Sequence, residues 1–278
     1  MENKHQNHKH GFLSHPLAFF VLVLAFTWLV QFPFIFLGEK TLSMPYVLIF
    51  YMGSISPALF AILFTYRLGD RAQIKDFWQR IIDIKRIRGR WWLVILLLHP
   101  IFNILAILIQ SLFSRRPPSF ESPLMLLGNP LQLLSMAIFL FFFGPLPEEI
   151  GWRGYGLDRL QEEHSPLISS LIVGIVWALW HLPLFFIPGT YQSGLGLGSL
   201  NFWLFFLALL PASVLYTWIF NSTNRGTLAT IMFHFATNFS GEFFEPNDPA
   251  KYIRFVLVTL TAIIVALRFE HQGRQQEE

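Results

Sequence analysis

Residues 165–183 read S-P-L-I-S-S-L-I-V-G-I-V-W-A-L-W-H-L-P. His164-Ser165-Pro166 reads as a helix break, after which a new helix starts. Crossing a bilayer takes about 20 apolar residues, and 166–187 supplies them without one Lys, Arg, Asp or Glu. The stretch predicts a membrane-spanning helix that carries an imidazole, His181.

Similar stretches lie at 16–37, 45–66, 91–113, 124–146, 200–220, 227–244 and 252–268. The expected fold is an all-α polytopic bundle of about eight spanning helices. Composition agrees: 54% of the 278 residues are hydrophobic and 13% charged, with 31 Phe and 9 Trp, whereas a soluble domain carries about 25% charge. The run from Pro16 to Phe36 is too long for a signal-peptide core and reads as the first span. Asn129-Pro130 interrupts the fourth span, and the seventh is short. There is no cysteine, which excludes disulfides, thiolate metal sites and cysteine nucleophiles.

The organisation along the chain is a polar tail at 1–15, N-terminal spans over 16–123, a polar-studded core at 124–245, and a last span with a polar tail at 246–278. The tail histidines His5, His8, His10 and His15 read as solvated rather than metal-binding. Lys4, Lys9, the basic run from Arg67 to Arg90, Arg153, Arg159, Arg225, Arg268 and Arg274 fall on one side of the bundle. Lys40, Arg115, Arg116, Lys251 and Arg254 fall on the other. This bias places both termini in the cytoplasm. A bacterial plasma membrane is the expected location. The net charge of +3 is no nucleic-acid signal, because the basic residues cluster beside the membrane. Within 67–90, Ile74, Phe77, Trp78, Ile81 and Ile82 recur at helical spacing among the basic residues, the pattern of an amphipathic helix lying on anionic lipid.

Against this apolar background stand P-E-E-I-G-W-R-G-Y at 147–155, W-A-L-W-H at 177–181, and H-F-A-T-N at 234–238. Ionisable groups inside spans are costly and mark function by default. Glu149 and Arg153 are i, i+4 on a helix and can pair. Dipole complementarity at a helix start accounts for that pair, but not for Glu148. Two adjacent carboxylates repel, so pairing of Glu149 leaves Glu148 as the candidate base. Glu148 lies 17 residues before Ser165 and His181 16 after it. An antiparallel pair of helices around His164-Ser165-Pro166 brings them level, each about 24 Å from the turn. That geometry requires Asp158, Arg159, Glu162 and Glu163 to project from the bilayer or be shielded. His234 and Asn238 share a helical face. They serve either as an interhelical bond or as donors to developing negative charge. Counted from Asn224, His234 lies only about 15 Å along its helix, shallower than His181 unless the helix starts unevenly. There is no H-E-x-x-H, no G-x-S-x-G and no Walker loop.

E-E-x-x-x-R, an aromatic-x-x-x-His and H-x-x-x-N, in this order, resemble the CPBP family of intramembrane glutamic endopeptidases, also called Abi or CAAX-protease-like. The resemblance covers about residues 130–240. It implies a peptide or membrane-protein substrate within a lipid bilayer, including prenylated peptides, and a water activated by Glu148 and His181. It also implies an oxyanion hole of His234 and Asn238, support from Glu149 and Arg153, and no cofactor. Trp177 stands where Phe is also common, a variation expected to leave the chemistry unchanged. The competing readings are a zinc site on Glu148, His181 and His234, and a non-catalytic membrane scaffold or immunity protein.

Overall fold

A computed structural model describes residues 11, 13, 15–38 and 43–277, with side chains through Phe269. His5, His8, His10 and Lys40 lie outside the described residues. No strand occurs among the described residues. In chain order the helices are α1 (Pro16–Gln31), α2 (Tyr46–Ser54), α3 (Ser56–Leu68), α4 (Arg71–Ile82), α5 (Gly89–Ser114), α6 (Glu121–Leu127), α7 (Pro130–Phe143), α8 (Pro145–Gly151), α9 (Asp158–Leu160), α10 (Pro166–His181), α11 (Tyr191–Gly194), α12 (Leu200–Ser222), α13 (Thr227–Phe244) and α14 (Asp248–Glu277). A π-helical turn, Trp152–Leu157, joins α8 to α9.

Among the described residues six helical stretches are long and apolar enough to span a membrane, at Pro16–Phe36, Gly89–Ser114, Pro130–Leu160, Pro166–Phe186, Leu200–Ser222 and Asp248–Phe269. A seventh crossing arises if α2 and α3, bent by 54°, act as one. The expected eighth, α13, forms a helix but falls short in hydropathy, because His234, Asn238, Ser240 and Glu242 dilute its apolar run. The chain is an integral membrane protein in which α13 packs among the other helices, on α5, α8 and α12.

Caps fix where the helices begin. Ser165 Oγ accepts from Ile168 N at the start of α10, and Ser199 Oγ from Phe202 N at the start of α12. The span from Pro130 breaks at Gly144, and Pro145 restarts the helix as α8. Close packing then holds α8 in place. A Cβ on Gly151 would lie 2.6 Å from the Pro57 carbonyl carbon, so α8 and α3 meet backbone to backbone, the approach that small residues permit between membrane helices.

The basic amphipathic segment meets the expectation only in part. α4 forms behind a capping box of Asp70 and Gln73; of its apolar residues, Phe77 and Ile81 are buried in the protein core, whereas Ile82 is exposed. Arg80, buried, pairs with Asp76 at 2.9 Å and Asp158 at 3.2 Å. Arg225 also pairs with Asp158. Asp158 is thereby shielded inside this ion cluster, while Arg159 and Glu162 pair at the surface. At the other terminus α14 remains helical to Glu277, beyond the span expected to end at 268.

Candidate active site

The three polar motifs meet in the bundle interior. Glu149 and Arg153 lie one turn apart and are fully buried, with Arg153 NH1 donating to Glu149 Oε1 at 2.9 Å. Arg153 also donates to Ser213 Oγ at 3.2 Å. Its guanidinium carbon stands 4.8 Å from the Trp177 ring centre and 4.5 Å from that of Tyr216. One carboxylate, one hydroxyl and two aromatic faces thus surround a cation that the membrane interior would otherwise reject.

His234 Nδ1 sits 2.9 Å from the same Glu149 oxygen. A carboxylate only accepts, so Nδ1 carries the proton and the lone pair of a neutral ring is on Nε2. Donation from Nε2, the role expected of His234 beside Asn238, requires the doubly protonated ring. His181 is held likewise. Its Nδ1 lies 2.9 Å from the Trp177 carbonyl, one turn back on α10, which leaves Nε2 as the acceptor.

Glu148 points elsewhere. Its Oε2 accepts the Trp177 indole N–H at 2.6 Å. Its Oε1 borders the space where Gly144 lacks a side chain: a Cβ there would be 3.8 Å from Glu148 Oε1 and 3.6 Å from Asn238 Nδ2. One oxygen is pinned, and the other shares a gap with an amide donor. Asn238 is half-buried, and its side chain makes no hydrogen bond among the described residues. Glu148, His181 and His234 are buried at 6%, 9% and 4% exposure, so water reaches them only in small number.

The depth mismatch of His234 also resolves. A Cβ on Gly154 would lie 3.3 Å from Thr227 Cγ2, so α13 starts level with Gly154 instead of at the end of the bundle. That start lies about 16 Å above the Ser165 turn and His234 about 10 Å further, close to the level of Glu148 and His181. Among the described residues no three His, Asp or Glu side chains are arranged to hold a metal ion. The surface depression of about 470 Å³ bounded by Asp158, Gln161, Asn221 and Arg225 lies at the basic end, away from these groups.

The sequence reading missed Ser213 and Tyr216 as partners of Arg153, and Trp177 as a partner of Glu148. Ser213, a hydroxyl deep in an apolar span two residues after Pro211, was the available signal. Trp177 belongs to the aromatic-x-x-x-His motif, where exchange with Phe is expected to leave the chemistry unchanged, yet its N–H carries the contact to Glu148.

Residues 130–240, which contain all of these groups, match the family described as type II CAAX prenyl endopeptidase Rce1-like. The chain is also 28% identical over 258 residues to CAAX prenyl protease 2 of Methanococcus maripaludis, covering 91% of this chain and 93% of that protein.

Proposed function

We propose that this chain, a membrane protease of the Rce1-like CAAX prenyl endopeptidase family, hydrolyses peptide bonds near the C-terminus of membrane-anchored substrates, prenylated ones among them. The observation that carries this reading is the split engagement of Glu148, with Oε2 held by Trp177 and Oε1 facing the gap beside Asn238. A water in that gap gives up a proton to Glu148, assisted by His181 Nε2, and attacks the peptide carbonyl. Asn238 Nδ2 then donates to the tetrahedral oxyanion, where a preorganised donor is worth about 3 kcal/mol of barrier. When both ring nitrogens carry protons, His234 Nε2 adds a second donor. Glu149 and Arg153 hold His234 in place. The proton returns from Glu148 to the leaving amine, as general acid–base catalysis requires.

No metal enters this scheme. The lysine- and arginine-rich end is assigned to the cytoplasm.

The test is cleavage of a farnesylated peptide ending in C-a-a-X by the purified protein in detergent, followed by mass spectrometry. Wild type should release a short C-terminal fragment, and Glu148→Gln should release none while folding normally. Equal cleavage by both proteins would remove Glu148 from the chemistry. Binding without cleavage by wild type would favour a scaffold.

A further inference from the structure

Arg254 sits in the second turn of α14, inside the apolar span Asp248–Phe269. Its partner is neutral: NH1 donates to Asn103 Oδ1 at 3.1 Å. Among the described residues no carboxylate lies within ion-pair distance of it. Asn103 is itself held by Ser240 Oγ at 3.0 Å and the His99 carbonyl at 3.2 Å. Arg153, another guanidinium inside this bundle, has a carboxylate, a hydroxyl and two rings. A guanidinium in a span normally pairs or faces a watery cavity, and the half-buried Arg254 lacks the anion.

Its position relates it to the site. A Cβ on Gly241 would lie 3.4 Å from Arg254 NH1. Gly241 is seven residues beyond His234 and three beyond Asn238 on α13. Two helical turns return to the same face, so Gly241 lies on the face that bears His234 and Asn238. Residues i and i+3 have Cβ atoms about 5–6 Å apart, which puts the Arg254 guanidinium within about 12 Å of the Asn238 amide. An extended peptide advances about 3.3 Å per residue, so a carbonyl held at Asn238 is about three residues from a group held at Arg254.

We infer that Arg254 is an anchor for the free C-terminal carboxylate of the substrate, about three residues beyond the cleaved bond. This rests on the endopeptidase reading for its register, but the carboxylate site itself can be tested without turnover. A carboxylate fits the chemistry because the fork of N–H donors matches its two oxygens. Such a contact rewards short C-terminal leaving peptides and rejects internal segments, whose backbone offers no charge.

The experiment uses one farnesylated heptapeptide ending in Cys-Val-Ile-Met, made as the free acid and as the C-terminal amide. Affinity for each is measured on full-length Glu148→Gln protein in detergent, with and without Arg254→Gln. Cleavage is measured on the proteins that retain Glu148. The acid should bind about 10- to 100-fold more tightly than the amide, the range for a hydrogen-bonded charge. Arg254→Gln should bring that ratio close to one, and Arg254→Lys should restore part of it. The ratio does not depend on how much of a variant folds. A merely structural Arg254 would weaken both peptides alike. Equal binding of acid and amide to the Arg254 protein, or an unchanged ratio in both variants, overturns the inference. Acid preference without cleavage by the Glu148 protein keeps the carboxylate site and defeats the endopeptidase reading instead.

Discussion

Trp177 donates its indole N–H to Glu148 Oε2 at 2.6 Å, and this contact decides which carboxylate oxygen is free. The aromatic at this position therefore does more than fill space. A phenyl ring keeps an aromatic face toward Tyr216 on α12 but is smaller and has no donor. Trp177→Phe should leave the fold intact and lower kcat about 10-fold or more, since a hydrogen bond to a charged group is worth about 1.5–3 kcal/mol. KM should change little, because the indole does not face the substrate. Steady-state kinetics on one peptide checks this, and wild-type kcat in the variant would return Trp177 to a packing role.

The two glutamates should separate by what they damage. Glu149 Oε1 receives both Arg153 and His234 at 2.9 Å, and its surroundings are fully buried. Removing Arg153 leaves that carboxylate with an imidazole alone, so Arg153→Ala should cost about 3–5 kcal/mol of stability. Glu148→Gln keeps the shape of a group that makes a single hydrogen bond, and should lose turnover with near-normal thermal stability. Parallel unfolding curves for the two variants would contradict this division.

How much of this was legible in the sequence depends on what each feature rests on. Glu148 and His181 could be placed level because both are counted from one turn, Ser165, and regular helices preserve the count. The pairing of Glu149 with Arg153 followed from i, i+4 spacing alone. The depth of α13 could not be counted, because its start is set by contact of Thr227 with Gly154 and by the ion pair of Arg225 with Asp158. The side taken by α4 was equally hidden: the same amphipathic pattern suits lipid or protein, and the buried pair of Arg80 with Asp158 chose protein. The attachment of His234 to Glu149 is made by the tertiary packing of α13 on α8, which are far apart in the chain.

Orientation can be read directly, because the chain has no cysteine to remove. Single cysteines at Lys85, beside the Arg80 cluster, and at Ser193, at the opposite end, give two reporters. With the basic end in the cytoplasm, a membrane-impermeant maleimide added outside intact cells should label Ser193→Cys and spare Lys85→Cys. The reverse pattern would overturn the charge-based assignment and put the Glu148 end of the bundle nearer the cytoplasm.

Metal independence has its own outcome. Activity should survive exhaustive dialysis against a chelator, and metal content should not track activity across preparations. Loss of activity with rescue specific to zinc would restore the ligand reading of Glu148, His181 and His234 and displace the water-activation scheme.

Asn238 and His234 should differ in a way their geometry specifies. Asn238 Nδ2 borders the gap beside Glu148 and is always a donor, whereas His234 donates from Nε2 only when Nδ1 and Nε2 both carry protons. The charge both would meet exists only after attack on the carbonyl, so truncation should lower kcat far more than it raises KM. Asn238→Ala should cost about 10²- to 10³-fold in kcat, the range for one oxyanion donor. Asn238→Asp should be at least as damaging, because it sets a carboxylate against the oxyanion and beside Glu148. In His234→Ala the buried Glu149 loses one of its two partners, so its loss should combine a lower kcat with reduced stability, while Asn238→Ala should unfold like wild type. Steady-state kinetics and thermal unfolding of the three variants give the comparison. A raised KM with kcat unchanged in both Asn238 variants would make this residue a substrate-binding group and leave the oxyanion without its constant donor.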